Sequence, residues 1–126
     1  MIVADSDVLI DALRGREPAR GRIAQELEKG SLATTSVSVF ELLSGARSAT
    51  AKTKVRRLLD AVLILPLDEG ASELAAEVRE KLEAKGYSIG MADYLIAGIC
   101  LYRSTILLTR NRSHFERVPD LTLGTL

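Results

Sequence analysis

Short apolar runs alternate along this chain with longer stretches of helical spacing. Ile2-Val3-Ala4 is an apolar run that stops at Asp5, and Val8, Leu9, Ala12 and Leu13 then recur three and four positions apart. The run predicts a buried strand, and the spacing predicts a helix from about Ser6 to Arg14 that ends at Gly15. Pro18 opens a second helix, with Ile23 and Leu27 on its apolar side and Gly30 at its end. Ser31 to Thr35 predicts a second strand. Ser36 or Ser38 is placed to cap a helix over Val37 to Ala46. An amphipathic helix from about Thr50 to Ala61 follows, and Val62-Leu63-Ile64-Leu65 predicts a third strand stopped by Pro66. Asp68 to Lys85 predicts a long helix with Leu74, Ala75, Val78 and Leu82 inside. Met91 to Tyr102 is the most apolar helical stretch, and Thr105 to Thr109 a fourth strand. A polar loop, Arg110 to Glu116, leads to a short last strand over Leu121 to Leu123.

Strands separated by helices imply parallel pairing with helices on both faces of the sheet. The expected fold is therefore α/β, a three-layer α/β/α sandwich with a central, mostly parallel sheet of four to five strands. No repeat, low-complexity tract or long linker divides the chain, so residues 1–126 are read as one domain. In such sheets ligands sit beyond the carboxyl ends of the strands, at the point where strand order reverses. Asp5 ends the first strand and Thr109 the fourth. If those strands are neighbours, Asp5, Thr109 and Asn111 share one edge.

Composition narrows the chemistry. Apolar residues make up 47 % and charged residues 27 %, the profile of a globular protein. Aromatics are only 4 % and there is no Trp, which disfavours RNA binding on a platform of stacked bases. The 17 basic and 17 acidic residues cancel, so nucleic acid would have to be held by local patches. One cysteine, Cys100, and one histidine, His114, exclude a Cys/His zinc site. No apolar run reaches the ~20 residues that span a bilayer, and no signal peptide is evident. The expectation is a cytoplasmic protein with no membrane association.

Three polar residues stand out against the apolar pattern. Asp93 is the only charged residue between Ile89 and Tyr102. It is either an acid stabilised by the first turn of its helix or a ligand, because an unpaired buried carboxylate is costly. Glu41 lies among Val37, Val39, Phe40, Leu42 and Leu43, either at the edge of a buried face or on it. Asn111 is either a turn residue or part of a site with Asp5. Together these oxygens suit a hard cation, Mg²⁺ or Mn²⁺, better than zinc.

Four blocks, in order, resemble the PIN-domain ribonucleases, and more narrowly the VapC-type toxins of toxin–antitoxin pairs. Ile2-Val3-Ala4-Asp5-Ser6-Asp7-Val8-Leu9-Ile10 is similar to the family's Asp-Thr/Ser-x-Val-Leu-Ile opening. Ser38-Val39-Phe40-Glu41-Leu42-Leu43-Ser44-Gly45-Ala46 is similar to its Glu-Leu-x-x-Gly block. Ile89-Gly90-Met91-Ala92-Asp93-Tyr94-Leu95-Ile96-Ala97 is similar to its Asp-x-x-Ile-Ala helix. Leu108-Thr109-Arg110-Asn111-Arg112-Ser113-His114-Phe115 is similar to its Thr-x-Asp/Asn-x-x-x-Phe block.

The resemblance implies that Asp5, Glu41 and Asp93 are the acidic metal positions and that Asn111 fills a fourth, often Asp in the family. It implies supporting hydroxyls at Ser6 and Thr109. It implies Mg²⁺- or Mn²⁺-dependent hydrolysis of an RNA phosphodiester by the toxin of a type II module, leaving a 5′-phosphate and a 3′-hydroxyl. It also implies a VapB-like antitoxin lying over the apolar helices around Leu9 to Leu13, Ile23 to Leu27 and Val55 to Leu59, and a homodimer. Arg110 and Arg112, flanking Asn111, are candidate RNA contacts; Asp7 falls at a variable position. Two other readings compete. A regulatory binding subunit with a degenerate metal site would account for Asn111 and the zero net charge. A phosphatase with Asp5 as nucleophile would account for Asp5-Ser6-Asp7, but the chain after the fourth strand offers it no lysine or acidic pair.

Overall fold

The computed structural model describes residues 1–126. Five strands, β1 (Ile2–Ala4), β2 (Leu32–Thr35), β3 (Leu63–Leu65), β4 (Ile106–Leu108) and β5 (Thr122–Leu123), form one sheet in the order β3-β2-β1-β4-β5. Every pairing is parallel, with Val3 opposite Ala33 on one side and Leu107 on the other. Seven helices surround it: α1 (Ser6–Leu13), α2 (Ala19–Lys29), α3 (Ser36–Gly45), α4 (Ala49–Asp60), α5 (Glu69–Ala84), α6 (Met91–Arg103) and α7 (Arg112–Phe115).

Alternation along the strands divides the interior into two cores. Val3, Ala33 and Leu107 face α5 and α6, whereas Ala4, Leu32 and Leu108 face α1 to α4. Both faces of the central strands are covered, which is why β1 and β4 read as unbroken apolar runs and why even the two threonines of β2 are buried. On the first side α6 comes so close to α5 that a Cβ at Gly98 would lie 2.4 Å from the Ala71 carbonyl oxygen and 2.6 Å from the Ala75 Cβ. The small residues Ala71, Ala75 and Gly98 are what allow that approach. No helix is long and apolar enough to cross a membrane.

Helix starts follow capping chemistry. Asp5, Thr35, Ser48 and Asp68 accept a backbone N–H from the first turn of α1, α3, α4 and α5 respectively. For α3 the cap is Thr35, the last strand residue, in place of either serine expected there. The expected loop after β4 contains the short helix α7, anchored by the fully buried Phe115. The third strand is only partly covered. It lies at the sheet edge, and Leu63 and Ile64 are exposed.

Strand order reverses between β1 and β4. Their carboxyl ends deliver Asp5 and Thr109 side by side, and α3 and α6 lean in from opposite faces of the sheet.

Candidate active site

Asp5 is pinned from two directions. Its Oδ1 accepts the Ser6 N–H at 2.8 Å, as a helix cap does, and its Oδ2 accepts the Thr109 hydroxyl at 2.8 Å. Only 5 % of the residue is exposed. Burial, then the neighbouring charges of Asp7 and Asp93, push its pKa up to about 7 against the bonds from Thr109 and Ser6.

Further contacts extend from this centre in both directions. On one side the Ser6 hydroxyl donates to Glu41 Oε1 on α3 at 3.1 Å. On the other, Thr109 Oγ1 accepts the Asn111 backbone N–H at 3.0 Å, and Asn111 Nδ2 donates to Asp93 Oδ2 at 3.1 Å. Glu41, Ser6, Asp5, Thr109, Asn111 and Asp93 thus form one continuous hydrogen-bonded arc, drawn from β1, α1, α3, α6 and the loop after β4. Asp93 sits in the first turn of α6, behind Gly90 at a φ of 97°, where the positive end of the helix dipole favours its charge.

The arc is not a closed cage, since no three acidic or histidine side chains converge tightly enough to hold an ion by themselves. Its chemistry nonetheless fits a divalent ion. All three acidic positions offer hard oxygen donors, and the one at the centre is a buried carboxylate whose ionised form lacks a cation. Asp5, Asp93 and Glu41 are the side chains that would hold it.

His114 was not assigned a role from sequence, yet its Nδ1 lies 2.8 Å from Asp93 Oδ2 and 2.8 Å from Asn111 Nδ2. The signal was present: Asn-x-x-His places the two residues one helical turn apart on α7. The two arginines predicted to meet RNA have different surroundings. Arg112 donates to the Gly124 carbonyl at 2.7 Å, which ties α7 to the end of β5, and pairs with Glu116 at the end of its own helix. Arg110 pairs through Nε with Asp11 at 3.0 Å and gives its backbone N–H to Asp7 at 3.1 Å. Asp7, left outside the site on sequence grounds, therefore fastens the loop that carries Thr109 and Asn111.

A PIN domain family model matches residues 2–121 of this chain. The chain belongs to the PIN domain family. PIN domains are metal-dependent nucleases, generally using a divalent ion. Among PIN relatives, Ribonuclease VapC10 of Mycobacterium tuberculosis is 36 % identical over 96 % of this chain and 90 % of its own length. The tRNA(fMet)-specific endonuclease VapC of Shigella flexneri is 27 % identical over 93 % of this chain and 91 % of its own. The PIN fold superposes on VapBC2 from Rickettsia felis, solved bound to a DNA fragment from their promoter. The TM-score is 0.89 at 24 % identity, covering 100 % of this chain and 99 % of that one. It also superposes on FitAcB from Neisseria gonorrhoeae, with a TM-score of 0.84 at 24 % identity, covering 99 % and 97 %.

Proposed function

We propose that this protein is an Mg²⁺- or Mn²⁺-dependent endoribonuclease of the VapC type, the toxin of a type II toxin–antitoxin pair acting in the cytoplasm. The observation that carries the reading is the arc from Glu41 to Asp93, with a buried Asp5 at its centre. The bound ion's contribution would be to acidify water and to neutralise charge on the phosphodiester. The chain's own residues supply orientation. Thr109 and the Ser6 N–H fix both oxygens of Asp5, the Ser6 hydroxyl fixes Glu41, and Asn111 and His114 bracket Asp93. Addition of water at phosphorus with cleavage of the P–O3′ bond would leave a 5′-phosphate and a 3′-hydroxyl.

A VapB-like antitoxin is the partner we assign to the largest groove, about 350 Å³ between α1, α3 and α4. Ile10, Leu13, Leu42, Ala46 and Val55 line it, and so does Glu41. An occupant would therefore cover an end of the arc. The groove is lined by α1, α3 and α4, where the sequence pointed to α1, α2 and α4. Homodimer formation is part of the same reading. Phe40 and Met91, exposed on α3 and α6 next to Glu41 and Asp93, offer apolar surface for it.

The test is cleavage of RNA by the purified protein with and without Mg²⁺ or Mn²⁺, with end chemistry mapped by sequencing. Metal-dependent internal cuts lost in Asp93→Asn are expected. Full activity in Asp93→Asn, or in a chelator, would refute the assignment.

A further inference from the structure

Asp11 has no place in the arc, yet it is one of the most buried acids in the molecule, with 8 % of the residue exposed. It gathers two arginines that are far apart in sequence. Arg16 Nη1 lies 3.8 Å from Asp11 Oδ1, and Arg110 Nε lies 3.0 Å from Asp11 Oδ2. The backbones of both arginines are also held, Arg16 N–H by the Asp11 carbonyl at 2.9 Å and Arg110 N–H by Asp7 Oδ2 at 3.1 Å. Their side chains are nevertheless 60 % and 54 % exposed.

A bridge serving the fold alone would look different. Ion pairs this exposed on the basic side add little to stability. Asp11 Oδ1 accepts no hydrogen bond, so the carboxylate is not optimally paired. What the arrangement does achieve is placement. It brings two guanidinium groups to one carboxylate at the residue that separates Thr109 from Asn111; with Asp7 beside Arg110 the two acids and two arginines balance in formal charge, and the guanidinium groups are the members that face solvent. Each guanidinium retains N–H groups beyond the one facing Asp11, in the planar fork that suits phosphate oxygens.

We propose that Asp11 is a positioning residue that assembles Arg16 and Arg110 into a subsite for a backbone phosphate of the RNA strand entering the active site. This rests on the ribonuclease reading above and adds to it where the strand is held. The ligand chemistry is a phosphodiester in single-stranded RNA. No base is read there, so affinity at this subsite is independent of sequence.

The experiment is binding of a fluorescent single-stranded RNA oligonucleotide in a chelator, followed by anisotropy over a series of salt concentrations. Arg16→Gln and Arg110→Gln should each weaken binding and lower the salt slope, and together they should reduce it by about 0.7, one phosphate contact on a single strand. Asp11→Asn should also weaken binding, roughly threefold or more, although it removes a negative charge next to RNA. Asp11→Asn added to protein already carrying Arg16→Gln and Arg110→Gln should cost no further binding, since Asp11 acts through those two side chains. Asp11→Asn binding as tightly as wild type, or more tightly, would overturn the proposal. If Asp11→Asn does not fold, the two glutamine variants decide alone, and unchanged slopes in both would overturn it. Wild-type protein that binds RNA but never cleaves it defeats the ribonuclease reading and leaves the subsite standing. Cleavage with unchanged slopes in the variants defeats only the subsite. No RNA binding by wild type defeats both.

Discussion

Replacing Asp5 with asparagine in metal-free protein should stabilise the fold, by an amount that grows with pH. The buried carboxyl has its pKa pushed up to about 7 from an ordinary value of 3.8, chiefly by burial. Below about pH 3.8 it is protonated in both the folded and unfolded chain and costs nothing through ionisation. Between 3.8 and about 7 the folded chain holds the proton more tightly, so stability falls as pH rises. Above about 7 the whole penalty is present. A gap of about three pH units at 1.36 kcal/mol each gives an upper value of about 4 kcal/mol, and about 2 kcal/mol at pH 5.5. Asparagine carries no charge at any of these pH values. Its amide must face the Thr109 oxygen, which already accepts from Asn111, and this costs up to about 1 kcal/mol. Asp7, also shifted up by burial, gives a slope of the same sign in both proteins and largely cancels from the difference. Urea denaturation of wild type and Asp5→Asn in a chelator, from pH 4.5 to 8.5, measures it directly. A variant advantage of about 2–4 kcal/mol at pH 8.5 that shrinks toward acid is expected. An advantage that is absent, or equal at both ends, would refute the description of Asp5 as a buried charge awaiting a cation. Added Mg²⁺ or Mn²⁺ should raise wild-type stability and leave the variant unmoved, and metal affinity should climb as pH rises through about 7.

Three more perturbations probe other parts of the molecule. Thr109→Val removes the donor to Asp5 and the acceptor for the Asn111 N–H; it should cost about 1–3 kcal/mol in denaturation and lower RNA cleavage sharply. Gly98→Ala forces a methyl group into the α5–α6 contact and should cost about 1–3 kcal/mol or more, read as a lower melting temperature. Ala51→Glu places a charge on the groove wall; it should weaken antitoxin binding by calorimetry at least about tenfold while cleavage by the free protein persists.

Most element positions were legible because their signals are local. A terminal acid or hydroxyl marks each of α1, α4 and α5, and both-face burial makes β1 and β4 plain apolar runs. The proximity of Asp5 to Thr109 followed from the reversal of strand order, a topological rule that needs no side-chain detail. What escaped depended on partners remote in sequence. Asp11 lies four residues after Asp7 and reads as the solvent face of α1 until Arg110, 99 positions later by numbering, is folded against it. Leu63-Ile64-Leu65 looks the same whether central or at an edge, and only the sheet order reveals which. Arg112-Ser113-His114-Phe115 offers one apolar anchor, too little for a periodic signal, so α7 passed as loop and His114 with it. Arg112 flanks Asn111 in sequence, but the turn of α7 carries it toward Gly124.

The link between Asp5 and Thr109 spans 104 positions. At a synthesis rate of roughly 5–20 residues per second, Asp5 leaves the ribosome some 5–20 s before the threonine that must orient it. A nascent chain extended only through α5 already carries the residues of α1, α3 and α4 that line the groove, but lacks Asp93, Thr109 and Asn111. Translation order therefore builds in a harmless interval. With the groove as the antitoxin's seat, as proposed above, that surface is synthesised before the acidic site is complete, so capture can precede cleavage.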